Sequence, residues 1–100
     1  MPSEPDNSDP DACKEGFVWR ESRPEDHVCV TPETREETAA DNSQADVRRN
    51  PAGPYGPDTC LVGFVWREAF VGDTVCVTPS VREKAARDNA QANERRAHPQ

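Results

Sequence analysis

Residues 13–21 read C-K-E-G-F-V-W-R-E, and residues 60–68 read C-L-V-G-F-V-W-R-E. Further along, V-C-V-T-P at residues 28–32 returns at 75–79, and D-N-S-Q-A-D-V-R-R at 41–49 returns as D-N-A-Q-A-N-E-R-R at 88–96. Every one of these offsets is 47 residues. A repeat of that period is one supersecondary unit used twice, so the fold of one half decides the fold of the other.

Within a unit the order of elements follows from local chemistry. Residues 17–20 (F-V-W-R) alternate bulky rings with smaller or charged neighbours, the pattern of a short strand. Residues 21–27 are polar and include Pro24, hence a loop. Val28, Cys29 and Val30 form a second short strand, valines on one face and cysteine on the other. Thr31-Pro32 then opens a helix, threonine as N-cap and proline at the first helical position. No Gly or Pro interrupts residues 33–49, and Arg48 and Arg49 suit a helix C-terminus before Asn50-Pro51 stops it. Thr78-Pro79 and Arg95-Arg96 carry the same signals in the second half. The fold class expected is small α+β, two tandem ββα units, each a short hairpin followed by one helix.

The boundaries expected are an acidic, proline-rich leader over residues 1–12, read as disordered, and unit one over 13–50. A Pro/Gly connector over 51–59, unit two over 60–97 and a tail over 98–100 complete the chain. A unit of this size seldom buries enough apolar surface to fold alone, and only 33% of the chain is hydrophobic. Each unit must be stapled, docked on its neighbour, or both. The net charge of -7 argues against nucleic acid or an anionic membrane as partner. No apolar run is long enough to insert in a bilayer. Residues 1–12 have neither the n-region nor the h-region of a secretory signal, which reads as a signal already removed.

Four cysteines at matching places in the two units point to an oxidising compartment and allow three pairings. Pairing within each unit, Cys13 with Cys29 and Cys60 with Cys76, is favoured because it staples each small core, each loop contributing about 3 kcal/mol. For Cys13 to reach Cys29 across a hairpin the chain must turn back near Gly16, and Gly63 holds the equivalent place. A four-cysteine zinc site is the rival, without the C-x-x-C knuckles such sites normally use.

The repeated residues read as framework. Phe17 and Trp19 are expected to anchor the core against the helix alanines, with Trp66 as counterpart; the alternative for the tryptophans is a ligand-stacking platform. Arg20 and Arg67 face the other way, toward an ion pair or a ligand carboxylate or hydroxyl. Asp26 and Asp73 close otherwise divergent loops and read as backbone caps. Asn42 and Asn89 are poor helix formers at mid-helix, which points to a specific hydrogen bond to the hairpin or connector. His27 has Thr74 as counterpart, so no shared histidine base or metal ligand exists. There is no serine with partnered His and Asp, no paired-carboxylate motif and no phosphate loop, so the chain does not read as an enzyme and no cofactor is expected.

Specificity is sought where the units differ. Ser22-Arg23-Pro24-Glu25 in one loop is replaced by Ala69-Phe70-Val71-Gly72 in the other, and a constant frame with different loop tips is a recognition scaffold. Phe70 and Val71 are the central candidate binding residues, with Arg23, Arg20 and Arg67 beside them. A repeat-symmetric ligand such as a glycan would use the repeated Arg20, Glu21, Arg67 and Glu68 instead.

The motifs G-F-V-W-R-E, V-C-V-T-P and P-Y-G-P-D-T-C resemble tandem segments of uncharacterised, secreted bacterial proteins of actinobacterial type. The resemblance spans residues 13–96 and implies a disulfide-bearing extracellular repeat, with no activity attached; the Ser22-Arg23-Pro24 loop departs from it. The expectation is a secreted, non-enzymatic module that binds an extracellular protein or a glycan through its variable loops. The alternatives are a spacer or segment of a longer array, and a protease inhibitor presenting Phe70 and Val71.

Overall fold

A computed structural model describes residues 9–99. Unit one comprises β1 (Val18–Trp19), β2 (Cys29–Val30) and α1 (Pro32–Ser43); unit two comprises β3 (Val65–Trp66), β4 (Cys76–Val77) and α2 (Pro79–Gln91). β1 pairs antiparallel with β2, Val18 opposite Val30 and Trp19 opposite Cys29, and β3 pairs with β4 in the same register. The two ββα units are thus alike in order and in pairing.

Disulfides join Cys13 to Cys29 and Cys60 to Cys76, both with Cα atoms 5.7 Å apart. The turn back that this geometry demands occurs at Gly16 and Gly63, at φ 94° and 95°, a left-handed backbone that glycine adopts without steric cost. No cysteine is left free for a metal.

Both helices start at the proline, as the Thr-Pro signal predicts, but they end earlier than expected. α1 stops at Ser43 and α2 at Gln91, and a 3-10 turn follows each, Asp46–Arg48 and Asn93–Arg95. The terminal arginines have other partners than the helix carbonyls at their own ends. Arg48 Nη1 donates to Asp41 Oδ1 at 3.0 Å and to the Cys76 carbonyl at 3.1 Å. Arg95 Nη1 likewise donates to Asp88 Oδ1 at 3.0 Å and to the Cys29 carbonyl at 3.2 Å. The N-caps also diverge: Thr31 accepts from the Thr34 N–H at 3.3 Å, whereas Thr78 makes no such bond.

Each arginine tail closes against the other unit. Arg49 bridges Cys60 and Arg96 bridges Cys13, both antiparallel. The Lys14 N–H donates to the Arg95 carbonyl and the Ala97 N–H to the Ala12 carbonyl, each at 2.8 Å. The Leu61 N–H donates to the Arg48 carbonyl at 2.8 Å, and the Asn50 N–H to the Thr59 carbonyl at 2.7 Å. The two units therefore clasp one another reciprocally, tail of one to start of the other.

Order begins before the expected boundary at Cys13. Ala12 is buried and the Asp11 carbonyl accepts the Trp19 indole N–H at 2.8 Å. Of the leader, residues 1–8 lie outside the described residues. The connector folds tightly: a Cβ at Gly53 would stand 2.3 Å from the Thr59 side chain, which itself bonds the Tyr55 N–H and the Gly56 carbonyl at 2.8 Å.

The core departs most from expectation. Its fully buried side chains are Val30, Val77, Cys29 and Cys76, so both faces of β2 and β4 are covered. Phe17, Trp19 and Trp66 are only half-buried. What fills the interior beside the valines is charged: Arg20 and Arg67 are each 3% exposed. The helices are polar enough that α1 buries Thr34 and Thr38, and α2 Ala85 and Asp88. A chain this poor in large apolar residues completes its interior with paired charges, which folding tolerates when every charge is partnered.

Candidate functional site

Each buried arginine is held by the aspartate that closes its own hairpin loop. Arg20 Nε donates to Asp26 Oδ2 at 2.7 Å, and Arg67 Nε to Asp73 Oδ2 at 2.7 Å. The same carboxylates cap the loop backbone. Asp26 accepts from the N–H groups of Ser22 at 3.0 Å and Val28 at 3.2 Å; Asp73 accepts from those of Ala69 at 2.9 Å and Val75 at 3.3 Å. Burial works to raise the Asp26 pKa. Hydrogen bonds from Arg20 and Ser22, with the Arg20 charge, outweigh that and hold the carboxyl below its ordinary value.

The helix asparagines complete this frame. Asn42 Nδ2 donates to the Ser22 carbonyl at 3.1 Å and Asn89 Nδ2 to the Ala69 carbonyl at 3.0 Å, the expected bonds to the hairpin, made from the last turn of each helix rather than from mid-helix. Arg67 Nη1 reaches across to Asn42 Oδ1 at 2.9 Å, so the frame of one unit is tied to the helix of the other. Arg20 and Arg67, two of the candidate binding residues, are thereby placed inside the protein; Arg67 bonds through Nε, Nη1 and Nη2, and Arg20 through Nε and Nη2, its buried Nη1 having no partner among the described residues.

The divergent loops meet each other. The Arg23 guanidinium lies over the Phe70 ring, 4.0 Å from its centroid, a contact between the loop of unit one and the loop of unit two. Phe70 is half-buried and Val71 is fully exposed. The Asp73 N–H donates to the Phe70 carbonyl at 3.0 Å and Gly72 has φ 90°, so the 70–73 segment is a tight turn. A groove of about 270 Å³ runs beside this contact, bordered by Arg23, Phe70, His27 and Arg96. His27 stacks on Trp19, ring centroids 3.7 Å apart, with Nδ1 3.0 Å from Asp11 Oδ2.

A larger concavity lies on unit two. Tyr55, Phe64, Val65 and Trp66 line a cleft of about 480 Å³, with Glu68 and Arg82 among its walls. The Tyr55 ring stands edge-on to Trp66, centroids 6.3 Å apart, and is 76% exposed. The Trp66 indole N–H is held by the Asp58 carbonyl at 2.8 Å, which fixes the ring. Glu68 and Arg82 form an ion pair, each about half exposed.

Glu68 has φ 53° and its counterpart Glu21 has φ 54°, the two non-glycine residues in the left-handed region among those described. That conformation costs a side chain of this kind about 1–2 kcal/mol. The exposed ion pairs, Glu68 with Arg82 and Glu21 with Arg35, return about 0–1 kcal/mol. Glycine would relieve that strain but lose about 0.5–1 kcal/mol more in chain entropy, so stability alone gives glutamate no advantage over glycine at either place.

Of Tyr55, Glu68 and Arg82 the sequence pointed only to Glu68, as part of a repeated face with Arg20, Glu21 and Arg67; Tyr55 and Arg82 were not singled out. Tyr55 is the lone tyrosine and sits in the connector, where no counterpart marks it. A signal did exist for the other two: glutamate and helix arginine recur at the 47-residue offset as Glu21 and Arg35, although both are surface positions free to drift. Among the described residues no helix is long and apolar enough to cross a membrane, and no cluster of His, Cys, Asp or Glu is arranged to hold a metal ion. No family model, curated protein or solved structure matches the chain.

Proposed function

We propose that this chain is a secreted, non-enzymatic binding module that takes a glycan at the aromatic cleft of unit two. The cleft itself carries the proposal. Its volume falls in the range of small-ligand sites, and its walls combine aromatic rings with a few charged groups. A sugar ring offers flat C–H faces to Tyr55 and Trp66 and hydroxyls to Glu68 and Arg82. The net charge of -7 favours a neutral glycan over a polyanionic one. The two disulfides suit an extracellular setting.

Retention of the protein on cellulose, chitin, xylan and mannan, followed by Trp66 fluorescence titration with the retained polymer, tests this. Tyr55→Ala removes a largely exposed ring, so it should leave the melting temperature alone while weakening binding by about tenfold. Binding equal to the parent would remove the cleft from consideration.

A second reading is a protein partner at the Phe70–Arg23 loop pair, favoured by the full exposure of Val71 beside it. Phe70→Ser with Val71→Ser, in a protein that still melts normally, separates the two sites. The protease-inhibitor alternative is less well supported, because a protease takes its target in extended form and residues 70–73 are a tight turn. The open-array alternative is disfavoured by the reciprocal clasp, since the edges a further unit would pair with are already paired.

A further inference from the structure

The frame of the cleft is present twice. Phe17, Val18, Trp19, Glu21 and Arg35 stand 47 residues before Phe64, Val65, Trp66, Glu68 and Arg82. The likeness extends to the bonds. Trp19 Nε1 donates to the Asp11 carbonyl at 2.8 Å as Trp66 Nε1 does to that of Asp58 at 2.8 Å. Arg35 pairs with Glu21 as Arg82 pairs with Glu68.

Both glutamates occupy left-handed backbone that glycine would adopt freely, and their half-exposed ion pairs do not repay that strain. Folding therefore supplies no reason for a glutamate at either place. Strain kept without a gain in stability is a mark of a functional group, here a carboxylate set beside a fixed aromatic surface.

We infer that Glu68 and Glu21 are ligand-contacting residues of two sites, one on each unit, and that the ligand is a neutral polysaccharide whose repeating hydroxyls both sites read. The inference rests on the glycan proposal above and extends it. A carboxylate accepts two hydroxyl hydrogen bonds at once, and the adjacent arginine donates to a third oxygen. The sites are unequal. Unit two adds Tyr55 to its cleft, whereas in unit one Trp19 already stacks on His27, where unit two has Thr74. Unit two is the tighter site and unit one the weaker. A polymer long enough to engage a second site gains affinity by effective concentration, so binding strengthens with chain length.

Calorimetric titration of the intact, oxidised protein with cello-, xylo-, manno- and chito-hexaose tests this. The expected result is two sites of unequal affinity for one of these sugars. Glu68→Gly should weaken the tighter site by about tenfold and Glu21→Gly the weaker site, each with a melting temperature equal to or above the parent's. Glu68→Gln keeps the side-chain shape without its charge and should fall between. A parent that binds with one site per chain overturns the duplication, and glycine variants that bind within about twofold of the parent overturn the role of the carboxylates. A drop in melting temperature in either glycine variant refutes the strain argument. A parent that binds no hexaose and is retained on no polymer overturns the glycan proposal and this inference with it.

Discussion

Asp73→Ala is the substitution that asks most of the polar core. The Asp73 side chain is 1% exposed and accepts four hydrogen bonds, from Arg67 Nε at 2.7 Å, Arg67 Nη2 at 3.2 Å, and the N–H groups of Ala69 and Val75 at 2.9 Å and 3.3 Å. Alanine would leave the buried Arg67 charge without its carboxylate and two backbone donors without an acceptor. Breaking a buried ion pair in this one-sided way costs about 3–5 kcal/mol. A chain of this length has about 5–15 kcal/mol in all. The loss should therefore lower the melting temperature by about 20 °C, at the few degrees per kcal/mol typical of small domains. Thermal melts followed by far-UV circular dichroism, at neutral pH under oxidising conditions, read this directly. Arg67→Met combined with Asp73→Leu removes both charges, and should recover the ion-pair part while leaving the two uncapped N–H groups, about 1–3 kcal/mol each. A single variant that melts within about 3 °C of the parent would refute the claim that paired charges hold the interior together.

Acid should act through the same frame. The Asp26 pKa is depressed in the folded protein, so its contribution is present above the unfolded value near 3.9 and is lost as pH falls through the folded value. Stability measured by urea denaturation should fall below about pH 4, and Asp26→Asn should flatten that dependence. Reduction of both disulfides removes loop constraints worth about 3 kcal/mol each and should unfold the protein near 37 °C; non-reducing peptide mapping that recovered a cross-unit pair would contradict the within-unit staples. A protease nick within residues 51–56 should leave both fragments eluting together on non-denaturing gel filtration, because the clasp between the units is non-covalent and reciprocal. Fragments that separate would show that the connector, rather than the clasp, keeps the units together.

The hairpins, the within-unit disulfides, the glycine turns and the proline helix starts were legible because each is local and each is written twice. The asparagine bonds to the hairpin were legible for a different reason: a poor helix former inside a helical run announces a compensating contact, although with the helices ending at Ser43 and Gln91 both asparagines stand in the last turn. The charged core was not legible. In an alternating strand, an arginine after tryptophan reads as facing water, but Arg20 and Arg67 are buried and reach across to the other unit, Arg20 to the Ala69 carbonyl and Arg67 to Asn42. The helix ends were misplaced for the same reason. Arg48 and Arg95 leave their helices to meet carbonyls of the opposite unit, which no local signal encodes. The cleft was hidden by the connector, whose proline and glycine content says turn and says nothing of where Tyr55 points.

Closure also explains where the two units have been free to differ. The paired segments of the clasp, residues 12–14 and 95–97, and 48–50 and 59–61, are held through backbone atoms, which leaves the solvent-facing side chains at and beside them free to differ. At one of these junctions the exposed large apolar side chains are Val47, Leu61 and Val62. At the other, the corresponding residues are Glu94, Lys14 and Glu15. Val71 on unit two and Tyr55 in the connector are exposed as well, and the counterpart of Val71 is Pro24. A frame that must be symmetric to close thus carries a surface that is not symmetric. The apolar side chains left in water gather between residues 47 and 71, the stretch that also builds the larger cleft. Solubility would favour the charged set Lys14, Glu15 and Glu94 of the other junction, so the apolar set marks the face on which the proposed unequal pair of sites would place the more extensive contacts.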